Sequence, residues 1–182
     1  ISIGGLAIAL AAQDTLKNLF GSVTIFLDKP FQIGDSIKVG GTEGTVQEVG
    51  FLSTRIRSFA NSLIYVPNSK LSDSTIDNFG LREYRRYKTM IGLMYNTPPA
   101  KIDAFVAGLR KIVEDHPHTR KDAYEIHLNN LGDSAIEILF YIFFKVDNWT
   151  GELTSKHDLL MSILTLAEDL GVSFAFSSTS VY

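Results

Sequence analysis

The sequence of 182 residues contains no cysteine. Disulfide bonds, a thiolate nucleophile and metal sites with cysteine ligands are therefore excluded. The four histidines are scattered, and only His116 and His118 lie close together, on either side of a proline at a predicted helix end. No arrangement of residues resembles a nucleophile with its base. We therefore predict no catalytic site, no metal site and no cofactor.

Positive charge is not in excess either. The sequence has 17 lysines and arginines against 20 aspartates and glutamates, which gives a net charge of −3. General nucleic-acid binders are usually basic. We therefore expect no nucleic acid among the partners.

The chain also lacks a long hydrophobic run at its start, since the apolar segment covers only residues 1–12. Spanning a bilayer takes about 20 residues. Placed on a helix, Leu6 and Leu10 lie about 40° apart and form one ridge, with Ile3 beside it. Small residues flank this ridge on both sides: Gly5, Ala9 and Ala12 on one, and Gly4, Ala7 and Ala11 on the other.

Two smooth flanks around a leucine ridge are typical of identical helices standing side by side in a ring. Small residues let each backbone approach two neighbours closely, and the leucines of every copy then point at a common axis. The pattern predicts a pore. A buried core helix or part of a signal sequence is the alternative interpretation, although no basic segment or cleavage site accompanies the apolar run. Because the chain begins inside an apolar segment without methionine, we expect it to be the C-terminal part of a longer membrane protein.

The polar residues Gln13, Asp14 and Thr15 follow the apolar run, and we expect a helix break there, with Asp14 or Thr15 capping a new helix. Asp14 could instead, or in addition, form an acidic ring that favours cations. Beyond the break, an amphipathic pattern predicts that the second half of a bent helix lies along the membrane surface. Pro30 ends it. The apolar positions of this pattern are Leu16, Leu19, Phe20, Val23 and Leu27.

Two further domains are predicted. Residues 30–80 carry four or five short alternating strands with tight turns, which indicate an all-β barrel of the Sm or SH3 type. Residues 81–182 read as β-α-β-β-α-β, the order of a ferredoxin-like α+β domain. Its predicted elements are strands at 84–94, 124–128, 134–146 and 172–176, and helices from Pro98–Pro99 to about Asp115 and from Trp149 to Leu170, which Gly171 ends.

Several specific motifs occur in and between these predicted elements. The helix runs through Gln13 to Asn18 into a Pro-Phe-x-Ile-Gly-Asp segment at residues 30–35, and later into Val-Pro-Asn-Ser at 66–69. With Gly44-Thr45-Val46 and the strand Ser53 to Arg57, this order closely resembles the family of small-conductance mechanosensitive channels, MscS, over essentially the whole chain.

The resemblance implies a homo-heptamer with a kinked transmembrane pore helix at residues 1–29 and a cytoplasmic vestibule with side portals. Its implied partners are membrane lipids, permeating ions and small osmolytes, and its implied function is their release through a tension-gated pore during hypo-osmotic shock. We expect the cell membrane as its location, most naturally the bacterial inner membrane, with the β and α/β domains in the cytoplasm.

Residue roles carry over by position. Leu6 and Leu10 match the hydrophobic seal. The helix-packing residues match as grooves at Gly5 and Ala9 against which Ala7 and Ile3 of the neighbour pack. The kink and hinge residues match as Gln13, Asp14, Asn18 and Gly21, with Asp14 standing where the best-known member has its kink glycine.

The basic cluster Arg82, Arg85, Arg86 and Lys88 is expected to form salt bridges between subunits or to face the vestibule. A soluble, ring-forming Sm-like module that binds RNA or protein is the alternative function.

Overall fold

The structure is a computed structural model that describes residues 3–175. The chain divides into two compact units, Ile1–Arg82 and Glu83–Tyr182. The first unit begins with the long helix α1, Ile3–Asp28. Its remaining elements are β1 (Ser36–Val39), β2 (Thr42–Val49), β3 (Ser53–Ser58), β4 (Leu63–Pro67), α2 (Asn68–Ser72) and β5 (Ile76–Asn78), followed by a short 3₁₀ helix, Phe79–Leu81.

The five strands form one antiparallel sheet in the order β4-β3-β2-β1-β5. The alternation of apolar residues correctly predicted β1 to β4, because buried and exposed side chains alternate along a strand. The edge strands β4 and β5 do not pair with each other in the described part of the chain. Backbone hydrogen bonds therefore leave this sheet open along that side.

The core of the first unit joins the sheet to α1. Ile25 of α1 and Phe31, just beyond the helix, are buried together with inward side chains of the strands. Leu71 of α2 is fully buried in the same cluster. We call the five-stranded sheet together with α2 the β unit, and the C-terminal half of α1 packs against it.

The second unit packs two helices on a sheet. Its elements are β6 (Arg85–Leu93), α3 (Pro99–Asp115), β7 (Glu125–Leu131), β8 (Ile136–Phe144) and α4 (Trp149–Leu170). The sheet is antiparallel in the order β6-β8-β7. The central position of β8 agrees with its nearly continuous apolar sequence, which predicts a strand away from the sheet edge.

The end of the described chain differs from the prediction of a full last strand. Phe174 forms a single antiparallel bridge with Leu93, and the amide of Ala175 donates to the carbonyl of Gly92 at 2.9 Å. Phe176, the last residue of the predicted strand, lies outside the described residues. The predicted end of α4 is confirmed, since Gly171 has the left-handed φ of 59° that commonly ends helices.

Candidate pore-lining helix

Helix α1 is uninterrupted from Ile3 to Asp28. The predicted break and new helix start at Gln13–Asp14 are therefore wrong, since Asp14 lies inside the helix. The kink and hinge roles of Gln13 and Asp14 stay predictions. The backbone carbonyl of Asp14 accepts a hydrogen bond from Nδ2 of the Asn18 side chain at 2.9 Å. The polar residues at 13–15 carry helix propensities only a few tenths of a kcal/mol below their neighbours. That cost is too small to interrupt a helix held by packing further along.

The N-terminal half of α1 has no partner within the described part of the chain. Every residue from Ile3 to Ala11 is exposed. Leu6 and Leu10, the predicted seal, are 58% and 62% exposed. The predicted packing residues Gly5, Ala7 and Ala9 are exposed as well. A single chain therefore leaves the ridge and both flanks uncovered, and the seal and the helix-packing roles stay predictions.

The C-terminal half of α1 has two different faces. One face, formed by Asn18, Gly21 and Ile25, contacts the β unit, and Gly21 and Ile25 are buried in it. The other face is apolar and has no partner among the described residues. Its large exposed side chains are Leu16, Leu19, Phe20, Val23, Phe26 and Leu27. The predicted amphipathic pattern thus corresponds to a wide uncovered apolar surface.

At Gly21 the backbones of α1 and α2 approach each other closely. A Cβ atom placed on Gly21 would lie 2.6 Å from the Asn68 carbonyl carbon and 2.7 Å from the Ser69 nitrogen. Glycine within a helix costs about 1 kcal/mol relative to alanine, so this position trades helix propensity for contact between two backbones. The structure gives Gly21 a packing role, and its role as a hinge stays a prediction.

Asn18 supplies the cap that α2 lacks in its own sequence. The residue before α2 is Pro67, which makes no side-chain cap. Instead, Oδ1 of Asn18 accepts hydrogen bonds from the backbone N–H of Ser69 at 3.0 Å and from its hydroxyl at 2.9 Å. Because the first amides of a helix have no partner within it, Asn18 satisfies one of them from a different helix. Sequence reasoning assigned Asn18 to a kink and missed this contact.

Asn68 fixes α2 to the sheet. Its side chain is fully buried, with Nδ2 donating to the Gly50 carbonyl at 2.7 Å and Oδ1 accepting from the Thr54 hydroxyl at 2.8 Å. Its backbone N–H donates to the Leu52 carbonyl at 2.9 Å. These hydrogen bonds belong to the Val-Pro-Asn-Ser motif that the sequence analysis singled out. They fix the position of α2, on which α1 packs.

The turn that leaves α1 is fixed in a similar way. Oδ2 of Asp35 accepts from the Gln32 amide at 2.9 Å and from Nδ2 of Asn78 at 2.8 Å. The same Nδ2 reaches the Pro30 carbonyl at 3.1 Å. The Pro-Phe-x-Ile-Gly-Asp motif therefore ties the end of α1 to β5, a strand that sequence reasoning did not predict.

The predicted basic cluster is divided by the structure. Arg85 forms an ion pair with Glu152 at 3.0 Å within its own chain, with side chains only 16% and 25% exposed. This ion pair gives Arg85 a contact within the second unit, and its predicted role between subunits or facing the vestibule stays a prediction. The Arg82 guanidinium lies 4.7 Å from the ring centre of Phe79. Arg86 and Lys88 are exposed, and their roles stay predictions.

We expect Asn18→Ala to loosen α1 from α2. The substitution leaves the Ser69 amide and hydroxyl without their acceptor, at a cost of about 1–2 kcal/mol. Hydrogen exchange at the Ser69 amide measures this directly and should accelerate about tenfold. Gln13→Ala is the matched control, since Gln13 is exposed on the same helix. Equal exchange in both variants would remove Asn18 from the contact.

Among the described residues, none of the helices has the length and apolar character needed to cross a membrane.

Two domain families of one channel type match successive parts of the chain. Residues 14–81 match the mechanosensitive ion channel β-domain. Residues 87–174 match the C-terminal domain of the mechanosensitive ion channel MscS.

Individual relatives are channels of the same type. The chain is 40% identical over 182 residues to the small-conductance mechanosensitive channel MscMJ of Methanocaldococcus jannaschii, covering all of this chain and 52% of that protein. It is 36% identical over 183 residues to the low conductance mechanosensitive channel YnaI of Escherichia coli, covering 99% of this chain and 53% of that one. The chain thus spans about half the length of these curated relatives.

Solved structures show the same fold. Helicobacter pylori MscS in a closed state matches with a TM-score of 0.84 at 22% identity, covering 98% of this chain and 69% of that one. Arabidopsis thaliana MSL1 matches with a TM-score of 0.87 at 24% identity, covering 96% and 64%. Both domain families and the full-length matches lead to one conclusion: the chain belongs to the MscS family of mechanosensitive ion channels.

Proposed function

We propose that this chain is the pore-lining and C-terminal part of a channel subunit that membrane tension opens. The channel releases ions and small osmolytes during hypo-osmotic shock, and no enzymatic step is involved. The observation that carries the proposal is α1 itself. Its first segment, Ile3 to Ala11, is uncharged, rich in small residues and exposed, and its second half is docked on a folded domain.

The closed state follows from the leucine ridge. In a homo-oligomer, which we propose to be a heptamer, Leu6 and Leu10 of each copy face the axis, while Gly5 and Ala9 receive Ala7 and Ile3 of the neighbour. A constriction walled by leucines offers water no hydrogen bonds. A sufficiently narrow one empties and blocks ions without being physically sealed.

Opening requires a difference between the two states on which tension can act. A force shifts an equilibrium only through such a difference, and an open state with tilted, separated helices occupies more membrane area. The apolar face around Phe20 and Val23 is the surface on which lipid or the upstream membrane helices act. The opposite face holds α1 to the β unit through Asn18 and Gly21, so that the helix moves against a fixed support.

We further propose that the two folded units form a cytoplasmic vestibule. We propose an Sm-like β domain for the five-stranded sheet, and a ferredoxin-like domain for the second unit. The pairing of residues 173–175 with β6 supports the second assignment, because it adds a fourth chain segment at the free side of β6. Both domains then lie in the cytoplasm, beneath a pore in the cell membrane, which we propose to be the bacterial inner membrane.

Patch recording from membranes that contain the full-length protein tests this function. We expect suction to evoke single-channel currents that are absent from control membranes. A protein that remains soluble without detergent and binds RNA in a salt-dependent manner would instead support a soluble Sm-like ring, and silent patches under tension would contradict the channel.

A further inference from the structure

The end of α3 is tied to the rest of the second unit by a short connection, residues 116–121, which we call the α3 joint. Its backbone pairs with the end of β8: the Lys145 amide donates to the His118 carbonyl and the Arg120 amide to the Phe143 carbonyl, both at 2.8 Å. At its centre, His116 is only 9% exposed. The imidazole ring lies 6.1 Å from the ring of Phe144, measured between centres, in an edge-to-face arrangement.

The hydrogen bonds of the joint fit a neutral His116. Its Nδ1 atom accepts from the backbone N–H of His118 at 3.2 Å. A neutral imidazole can accept at one ring nitrogen, whereas both nitrogens of an imidazolium are donors. Protonation of His116 would therefore place two N–H groups against each other in a nearly buried position.

The ammonium group of Lys121 lies at the C-terminal end of α3. Nζ of Lys121 donates to the Val113 carbonyl at 2.7 Å and to the Thr119 hydroxyl at 2.6 Å, and it also contacts the His116 carbonyl. The partial negative charge at a helix C-terminus stabilises a nearby cation, most strongly in partly buried sites. Lys121 already makes that interaction here. An imidazolium at His116 would share the same small volume with an ammonium.

The charges on every side of His116 define the balance. Burial lowers the pKa of His116, and the adjacent His118 and Lys121 lower it further. Asp158 of α4 and a backbone hydrogen bond with Ser155 act in the opposite direction, while β8 contributes the uncharged Phe144. Burial lowers the pKa of Lys121, and the carboxylates of Asp115 and Glu114 on α3 act in the opposite direction. The net effect favours the neutral ring.

We propose that His116 is a proton-operated latch: its neutral imidazole holds the α3 joint closed against α4 and β8, and its imidazolium releases it. The second unit then responds to acidification of the compartment that surrounds it. The opened joint binds a proton at the ordinary imidazole pKa of 6.5, and the closed joint binds one only at lower pH. The amides of the α3 joint are therefore fully protected from hydrogen exchange above pH 6.5, and this protection is lost as the pH falls below 6.5.

Hydrogen exchange of the full-length protein in detergent, followed by mass spectrometry from pH 7.5 to 5.0, tests the latch. Rates are corrected for the intrinsic pH dependence of exchange. We expect opening of segments 113–121 and 143–145 to rise as one proton binds, by about tenfold per pH unit between the two pKa values. His116→Asn keeps an acceptor but cannot titrate, so its acid response should fall below about twofold.

The matched control is His157→Asn, since His157 is exposed on α4, and this variant should keep the full acid response. His116→Gln serves as a second non-titrating variant in case His116→Asn folds poorly. A wild-type protein with equal protection at pH 7.5 and 5.0 overturns the latch, and so does an undiminished acid response in both His116 variants. Neither result bears on the channel function, which is measured separately by patch recording.

Discussion

Gly21→Ala should separate α1 from the β unit more strongly than any other single methyl group added to this helix. On an isolated helix the change would stabilise, by about 1 kcal/mol. Here the new Cβ would meet the backbone of Asn68 and Ser69 at 2.6–2.7 Å. Overpacking against atoms that cannot move costs about 1–3 kcal/mol, and sometimes more.

The backbone at Asn68 has little freedom to yield. Three hydrogen bonds, to Gly50, Leu52 and Thr54, hold this residue on the sheet. We therefore expect a net loss of about 2 kcal/mol in the docking free energy of α1, seen as faster exchange at the Ser69 amide and a lower melting temperature. Thr24→Ala is the control, because Thr24 is exposed one turn further along α1. A stabilised Gly21→Ala variant would show that the two helices are not in contact.

Leu6→Ser and Leu10→Ser should have the largest effect on gating. A serine hydroxyl offers water hydrogen bonds at the narrowest point of the proposed pore, so the constriction no longer empties. Each leucine that leaves an apolar contact costs the closed state about 2 kcal/mol. In the proposed heptamer the change amounts to on the order of 10 kcal/mol, enough to favour the open state without applied tension.

We expect spontaneous openings in patch recordings and impaired growth of cells that express either variant. Ile8→Ser is the matched control, because Ile8 lies about 160° from Leu10 around the helix and is exposed in the structure. Its threshold should stay close to that of the wild type. Unchanged thresholds for both leucine variants would remove these residues from the gate.

The sequence predicted those elements whose signals are local. The helix Trp149–Leu170 and the central strand β8 follow from apolar periodicity, which reports directly on the buried face. The leucine ridge of α1 is equally local, because Leu6 and Leu10 are four residues apart. What failed was the break at Gln13–Asp14, where a small local cost was outweighed by the cooperativity of a helix docked on the β unit.

The docking of α1 could not be derived from local patterns. Asn18 and Ser69 are separated by 51 positions in sequence, and no periodicity connects them. The same holds for Asp35 and Asn78, which are 43 positions apart. Gly21 suggested flexibility when its neighbours in space were unknown. Only the approach of α2 shows that the missing side chain makes room for another backbone.

The most direct test of the account is access to Leu10 in the assembled protein. This chain contains no cysteine, so Leu10→Cys provides a single target within it for a charged, water-soluble thiol reagent. We predict that the reagent reaches Leu10→Cys and changes the current only while tension holds the channel open, whereas Ile8→Cys stays unaffected. Equal modification at rest and under tension, or modification of Ile8→Cys alone, would contradict a pore closed by the leucine ridge.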